Sequence, residues 1–235
     1  MGCFHQTKLV TVEEAPKTPK IFAAFPATTQ QGLIQRWGSR DDSRLSFEFA
    51  ESAKRLAATH VGEPSDDSIL LPLMLLYRHA IELSLKESIH YAVFLRRRNN
   101  ETDPKLESSA VTERLAKKHR HSIGALVAEL NSHMVALDLE IMPKEANRIL
   151  QMLAEADATG EAFRYSGKLA EGYDNIDFPA LSAALAETYG ITAASHDVLD
   201  AYSESQDEML EIQREFDAEM RAEFESDMAN EMGDW

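Results

Sequence analysis

Between Leu70 and Leu95 the sequence is apolar around most of the circumference of any helix it forms. Such a segment belongs at the centre of the fold, because only burial on nearly all faces removes that surface from water. One narrow sector breaks the pattern. Wound at about 100° per residue, Arg78, His79, Glu82, Lys86 and His90 fall within roughly 120° of one another. Two arrangements satisfy this. The sector either faces solvent, with Glu82 and Lys86 as an ordinary i,i+4 pair, or lines an internal polar groove. In a groove the charges must be paired, since an unpaired buried charge costs several kcal/mol. The narrowness of the sector favours the groove.

The remaining periodicities are helical too. Leu45, Phe47, Phe49, Ala50, Ala53, Leu56 and Ala57 predict a first helix from Asp42, stopped before Gly62-Glu63-Pro64. Ser65-Asp66-Asp67-Ser68 supplies capping oxygens and negative charge for the central helix, which holds Pro72 in its first turns and runs to Arg98. After an Asn99–Pro104 loop the spacing predicts a polar helix over 107–119. Another is capped by Ser122, with Leu126, Val127, Leu130, Met134 and Leu137 inward. The next begins at Pro143 and carries Ala146, Ile149, Leu150 and Leu153 toward Thr159-Gly160. Residues 160–176 read as irregular or briefly extended. Asp177 caps a last long helix through Leu181, Leu185, Val198 and Leu199, with Gly190 as a place to bend. No strand ladder or internal repeat emerges. The expected class is therefore all-α: an extended arm over 1–41 with Pro16, Pro19 and Pro26, a helical bundle over 42–205, and an acidic helix or tail over 206–235.

Charge is distributed unevenly. Forty acidic residues against 24 basic ones give a net charge of -16, which argues against a protein that coats duplex nucleic acid. From Glu204 to Trp235 there are 12 acidic and 2 basic residues, yet Met209, Ile212, Phe216, Met220 and Phe224 keep a helical spacing. This segment is a solubilising extension, or else a docking or nucleic-acid-mimicking helix able to cover a basic patch. The patch lies within residues 96–121, where Arg96, Arg97, Arg98, Lys117, Lys118 and Arg120 are the candidates for RNA phosphates. It lacks aromatic residues on which bases would stack, and a solvated face is the plainer alternative. The single cysteine, Cys3, fits a reducing cytoplasm. No run of 18 apolar residues is present, so no membrane span is expected. Gln6 stands where a myristoylation signal wants Ser or Thr, so lipidation is not expected either.

Several chemistries lack their signatures. There is no Gly-rich phosphate loop before a helix, no Gly-x-Ser-x-Gly elbow and no His-Glu-x-x-His zinc helix. His119 and His121 are two residues apart, which sends them to opposed sides of a helix, so no metal site is expected there. No cofactor is implied.

Leu71-Pro72-Leu73 leading into Tyr77-Arg78-His79-Ala80-Ile81-Glu82-Leu83-Ser84-Leu85-Lys86 resembles the signature helix of HEPN-like (higher eukaryotes and prokaryotes nucleotide-binding) helical proteins. His121-Ser122-Ile123 with Leu126 resembles that family's His-Asp-Leu helix start. Asp157 followed by Phe163-Arg164-Tyr165 resembles its Asp…Phe-Arg-Tyr-Pro segment. The resemblance covers about residues 65–200, with Ser122 in place of the Asp and Ser166 in place of the Pro. It implies an up-and-down bundle of four to five main helices, often a homodimer. It also implies work in RNA cleavage, toxin–antitoxin pairs or phage defence, or as a helical partner of nucleotidyltransferases. Residue by residue it brings His79, Glu82, Lys86, His121, Arg164 and Tyr165 toward one polar cluster, in which Glu82 orients His121 or pairs with Arg164. The alternative is a polar knot that merely holds the 160–168 loop.

Catalytic members carry Arg-x4–6-His and need no metal: the His moves protons for attack by the RNA 2′-hydroxyl, and the Arg stabilises the charged transition state. Arg55…His60, Arg114…His119 and Arg114…His121 have this spacing, though composition alone gives roughly one such match. If the chain cleaves RNA, His119 or His121 is the acid/base and Arg114 or Arg164 the phosphate stabiliser. If it does not, it is a degenerate relative that binds RNA; a non-catalytic module for a protein partner or antitoxin is the alternative, and a virion or assembly subunit a third.

Overall fold

The computed structural model describes residues 42–165 and 175–233, with side chains to Glu225, together with Ile21, Ala24 and Gly172. The expected arm over 1–41 and most of the 166–174 loop lie outside the described residues. Residues 42–235 form one compact unit. The protein is all-α, with no strand among the described residues.

Helix α1 spans Asp42–Ala57 and buries Ser46, Ala50 and Ala53. These small residues, spaced four and three apart, let its backbone approach the central helix, and the Ser46 hydroxyl donates to the Ala80 carbonyl at 2.8 Å. Phe47, one of the residues whose spacing predicts the helix, is 60% exposed. The packed stripe of α1 is set by its small residues, not its large ones. The stop after α1 is made by Asp66, whose Oδ2 accepts the amides of Val61 (2.8 Å), Gly62 (2.8 Å) and Glu63 (3.1 Å). The Asp66 carboxyl is held below its ordinary value by these amides, chiefly that of Val61. This corrects one expectation: Pro64–Ile69 is a separate 3-10 turn, and Asp66 caps backward onto the 61–63 turn. Ile69 precedes the central helix without a side-chain cap.

Helix α2, Leu70–Arg98, is the centre. Leu73, Ile81, Leu85, Ile89, Ala92 and Leu95 are buried on it, and α1, α4 and α6 pack around it. Pro64–Arg98 is also long and apolar enough to cross a bilayer by length and mean hydropathy, contrary to expectation. Its apolar faces meet those three helices, which accounts for the composition.

Beyond Asn99 and a 3-10 turn at Pro104–Leu106, α3 covers Ser108–Glu113 and continues as a π-helical turn, Arg114–His119. Helix α4 is Ile123–Ala136, with Ser122 Oγ accepting the Ala125 amide at 3.4 Å. Helix α5 is Lys144–Ala156, burying Ala146, Leu150 and Leu153. Helix α6, Phe178–Gly233, runs unbroken through Gly190, and Asp177 Oδ1 accepts the Ala180 amide at 3.0 Å. Its inner stripe is Leu185, Thr188, Thr192, Ser195 and Leu199. Three of these carry hydroxyls that the apolar pattern did not register, and two of them bond back within the helix: Thr192 donates to the Thr188 carbonyl at 2.6 Å and Ser195 to that of Ile191 at 3.4 Å. Val198, named with Leu199 in the pattern of this helix, is exposed.

Ile89→Ala is expected to lower the unfolding free energy by about 2–5 kcal/mol through the cavity it leaves. Phe47→Ala should change it by less than about 0.5 kcal/mol. Urea denaturation of the two variants checks this.

Candidate functional site: two carboxylate-centred clusters

The polar sector of α2 turns inward. Arg78 and Glu82 are each 1% exposed. Arg78 Nη1 donates to Glu82 Oε2 at 3.0 Å, and its Nη2 donates to the carbonyls of His121 (2.5 Å) and Asp157 (3.2 Å). Its Nε lies 2.8 Å from Asp157 Oδ2, an ion-pair contact without the alignment of a hydrogen bond. Asp157 Oδ1 accepts the Ala162 amide at 2.9 Å. On the other side, Glu82 Oε1 accepts from Lys86 Nζ at 2.6 Å and meets His121 Nδ1 at 2.9 Å. Two cations thus balance two carboxylates, as burial requires. Burial alone raises the Glu82 carboxyl, but the bonds from Lys86 and His121 outweigh it and hold it below its ordinary value.

An ionised Glu82 has no proton to give, so His121 donates from Nδ1, which leaves Nε2 as the ring atom not engaged by Glu82. The His121 side chain is 44% exposed. The loop that follows is fitted against it. Gly160 has φ +82°, and a Cβ there would stand 2.7 Å from His121 Cβ and 3.3 Å from Arg78 Nη2. Only glycine fits that turn.

His79 faces elsewhere. It packs edge-on against Phe49 with ring centroids 4.5 Å apart, and its Nδ1 is buried without a partner. Burial pushes its pKa down; the field of Glu82 opposes this, while Arg164, Lys86 and Arg78 add to it. Arg164 and Tyr165 are exposed on the turn after Gly160. The two alternatives for Glu82 separate here: it holds His121, and the guanidinium that reaches it is that of Arg78. His90, at the far end of the sector, is exposed.

The second cluster centres on Glu129. Arg114 grips both its oxygens, with Nε at 2.9 and 3.1 Å and Nη2 at 2.7 Å. His119 Nε2 bonds to Oε2, and His133 Nε2 approaches Oε1 to 3.5 Å. Burial raises the Glu129 carboxyl, and its bonds to His133, Arg114 and His119 overcome that and hold it far below the ordinary range. Arg96 Nη1 stands 2.9 Å from His133 Nδ1. A guanidinium only donates, so Nδ1 of His133 accepts and the proton sits on Nε2. Arg96 is held in turn by Glu101. These groups line a cleft of about 730 Å³ with Lys105 and Lys118 at its edge.

The two clusters are joined by a strained connection. The π turn closes with the Arg120 amide donating to the Leu115 carbonyl at 2.8 Å, and Arg120 has φ +50° and ψ -103°. For a non-glycine residue this is a sparsely populated backbone conformation, of a kind found often at functional sites. It sends His119 to Glu129 and His121 to Glu82.

Arg114 and His119 therefore share one carboxylate, whereas Arg114 and His121 serve different ones. Arg55 and His60 do not converge either: Arg55 pairs with Glu51 at 3.0 Å and His60 stacks on Phe178 at 4.7 Å. Of the RNA-binding candidates, Arg96 pairs with Glu101, Arg97 with Glu107 (2.7 Å), Arg98 with Asp207 (2.5 Å) and Lys117 with Glu113 (2.7 Å). Lys118 and Arg120 alone of the six carry no ion pair among the described residues. No three of His, Cys, Asp and Glu converge to hold a metal among those residues.

Sequence reasoning did not nominate Arg78 as the hub, nor Glu129 and His133 at all. The last two sit four apart on α4 beside its apolar stripe, which was their available signal. No family model, curated protein or solved structure matches the chain.

Gly160→Ala is expected to cost about 2–4 kcal/mol, from the left-handed backbone and the collision with His121. For His79, Glu82 and Glu129 the folded state binds protons less readily than the unfolded chain, so stability falls as pH falls. Unfolding curves should show the loss starting below about pH 6.5, where an unfolded histidine takes up its proton. His90 is pushed down by desolvation as well, so only in the double variant His79→Leu, His90→Leu should the loss start in the carboxylate range, near about pH 4.5.

Proposed function

We propose that the chain is a HEPN-like protein of RNA-linked phage defence or toxin–antitoxin type, an up-and-down bundle of four to five main helices ending in an acidic helix. In this reading it is a cytoplasmic homodimer and a metal-independent ribonuclease. One observation supports it: His121, nearly half exposed, is held through Nδ1 by the buried carboxylate of Glu82. A histidine oriented in this way presents Nε2 to a substrate as a general base. Nε2 would take the proton of an RNA 2′-hydroxyl, the oxygen would attack the adjacent phosphorus, and the proton would pass to the leaving 5′-oxygen. Arg164, exposed on the neighbouring turn, supplies positive charge for the phosphorane oxygens. His121 is preferred to His119 because Glu129 already occupies both His119 and Arg114.

Incubating structured and unstructured RNA with the purified protein in EDTA tests this. Cleavage leaving 2′,3′-cyclic phosphate ends is expected, with His121→Ala slower by about 100-fold or more and Arg164→Ala also slowed. No cleavage by the wild type, or equal rates in His121→Ala, overturns it.

A second reading, a non-catalytic module for a protein partner or antitoxin, has its own support. The basic run is largely neutralised within the chain, at Arg96, Arg97, Arg98, Arg114 and Lys117. Little of it is left free to displace counterions from RNA.

A further inference from the structure

Helix α6 outgrows the body it packs on. Its last ties to the rest of the fold are Arg98 to Ser203 (2.9 Å) and Asp207 (2.5 Å), and Gln206 to the Leu95 carbonyl (3.2 Å) and Asn99 (2.5 Å). Every residue from Asp207 to Glu225 is exposed. Yet Met209, Ile212, Phe216, Met220 and Phe224 lie within about 120° of one another on this stretch, each at least half exposed. A helix that presents five large apolar groups to water gains little from standing alone, because helical stability comes mainly from burying such a face.

Charge decides what covers it. From Glu204 to Trp235 the chain carries 12 acidic and 2 basic residues. A second copy laid along the strip would bring two such segments together, and like charges facing each other resist docking. Helices that lie on anionic membranes carry Lys and Arg on their polar face, the reverse of this one. Nucleic acid is repelled for the same reason. What complements the strip in both charge and apolarity is a helix with its own apolar stripe and basic flanks. The strip also begins at a ready-made seat. Where α6 leaves the body, Arg98, Asn100, Tyr202, Gln206, Met209 and Leu210 line a cleft of about 390 Å³, room for apolar side chains at the end of such a helix.

We propose that the Met209–Phe224 face of α6 docks a basic amphipathic helix of a partner protein, seated at its near end in the cleft beside Tyr202. The inference does not depend on RNA cleavage, and the residues it uses touch neither His121 nor Glu129.

The test uses the full chain and a fluorescent peptide of about 18 residues, with Leu at helical three- and four-residue spacing and Lys between. A scrambled peptide of the same composition and a Glu-for-Lys peptide are the controls. Fluorescence anisotropy should show saturable binding of the Lys peptide, weakened about tenfold or more between about 50 and 300 mM salt. The scrambled peptide should bind about tenfold less tightly, and the Glu peptide not at all. Phe216→Ser with Met220→Ser should reduce binding about tenfold and leave the melting temperature unchanged, since both side chains are exposed. Equal binding of the scrambled peptide, or unaltered binding by the double variant, overturns the proposal. So does a dimer of the wild type in light scattering that the double variant converts to monomer, because a second copy then covers the strip.

Discussion

A guanidinium with almost no access to water organises this protein. Arg78 sits in the central helix and is tolerable there only because Glu82 and Asp157 supply opposite charge within hydrogen-bonding range. The three groups come from two places far apart in the sequence. Folding α2 into the core therefore requires the end of α5 and its following turn to be in place as well. A buried pair of this kind adds little net stability over a well-packed apolar core, yet losing one member leaves a charge that nothing solvates. Its effect is to select one arrangement: the 157–162 turn and the carbonyl of His121 must both meet Arg78.

The same requirement positions the two histidines. His121 is fixed at its backbone by Arg78 and at its ring by Glu82, so its orientation follows from the core and not from the surface. Two residues earlier, His119 is fixed by Glu129. Holding both at once forces the intervening Arg120 into positive φ and the preceding residues into a π turn. Strain confined to one short connection, with a carboxylate-held histidine on either side, is hard to reconcile with a chain optimised for stability alone.

The central helix, its polar sector and the junctions near Asp42, Ser122 and Asp177 were legible in the sequence, because apolar periodicity and capping oxygens are local signals. The meeting of Glu82 with His121 was legible only through the family resemblance. What escaped notice is long-range or counter to type. Arg78 belongs to a sector whose narrowness favours an inward face, but its pairing with Asp157, 79 residues away, leaves no local sign. Glu129 and His133 look like an ordinary helical pair beside an apolar stripe. Phe47 and Val198 belong to the helical periodicity but lie outside, because the helices approach closely through Ser46, Ala50 and Ala53 on α1 and through Thr188, Thr192 and Ser195 on α6. Close approach leaves no room for larger groups, so small and hydroxylated residues took the inner positions.

Whether Arg78 and Asp157 act as one unit is open to direct measurement by a double-mutant cycle. Arg78→Met and Asp157→Leu are made singly and together, and unfolding free energies are taken from urea titrations. Each single change strands one charge in the core and should cost about 3–5 kcal/mol. The double change removes one charge of each sign and leaves Glu82 balanced by Lys86, so it should cost less than the sum by about 3 kcal/mol. Additivity within about 0.5 kcal/mol would show two independent residues and contradict the account.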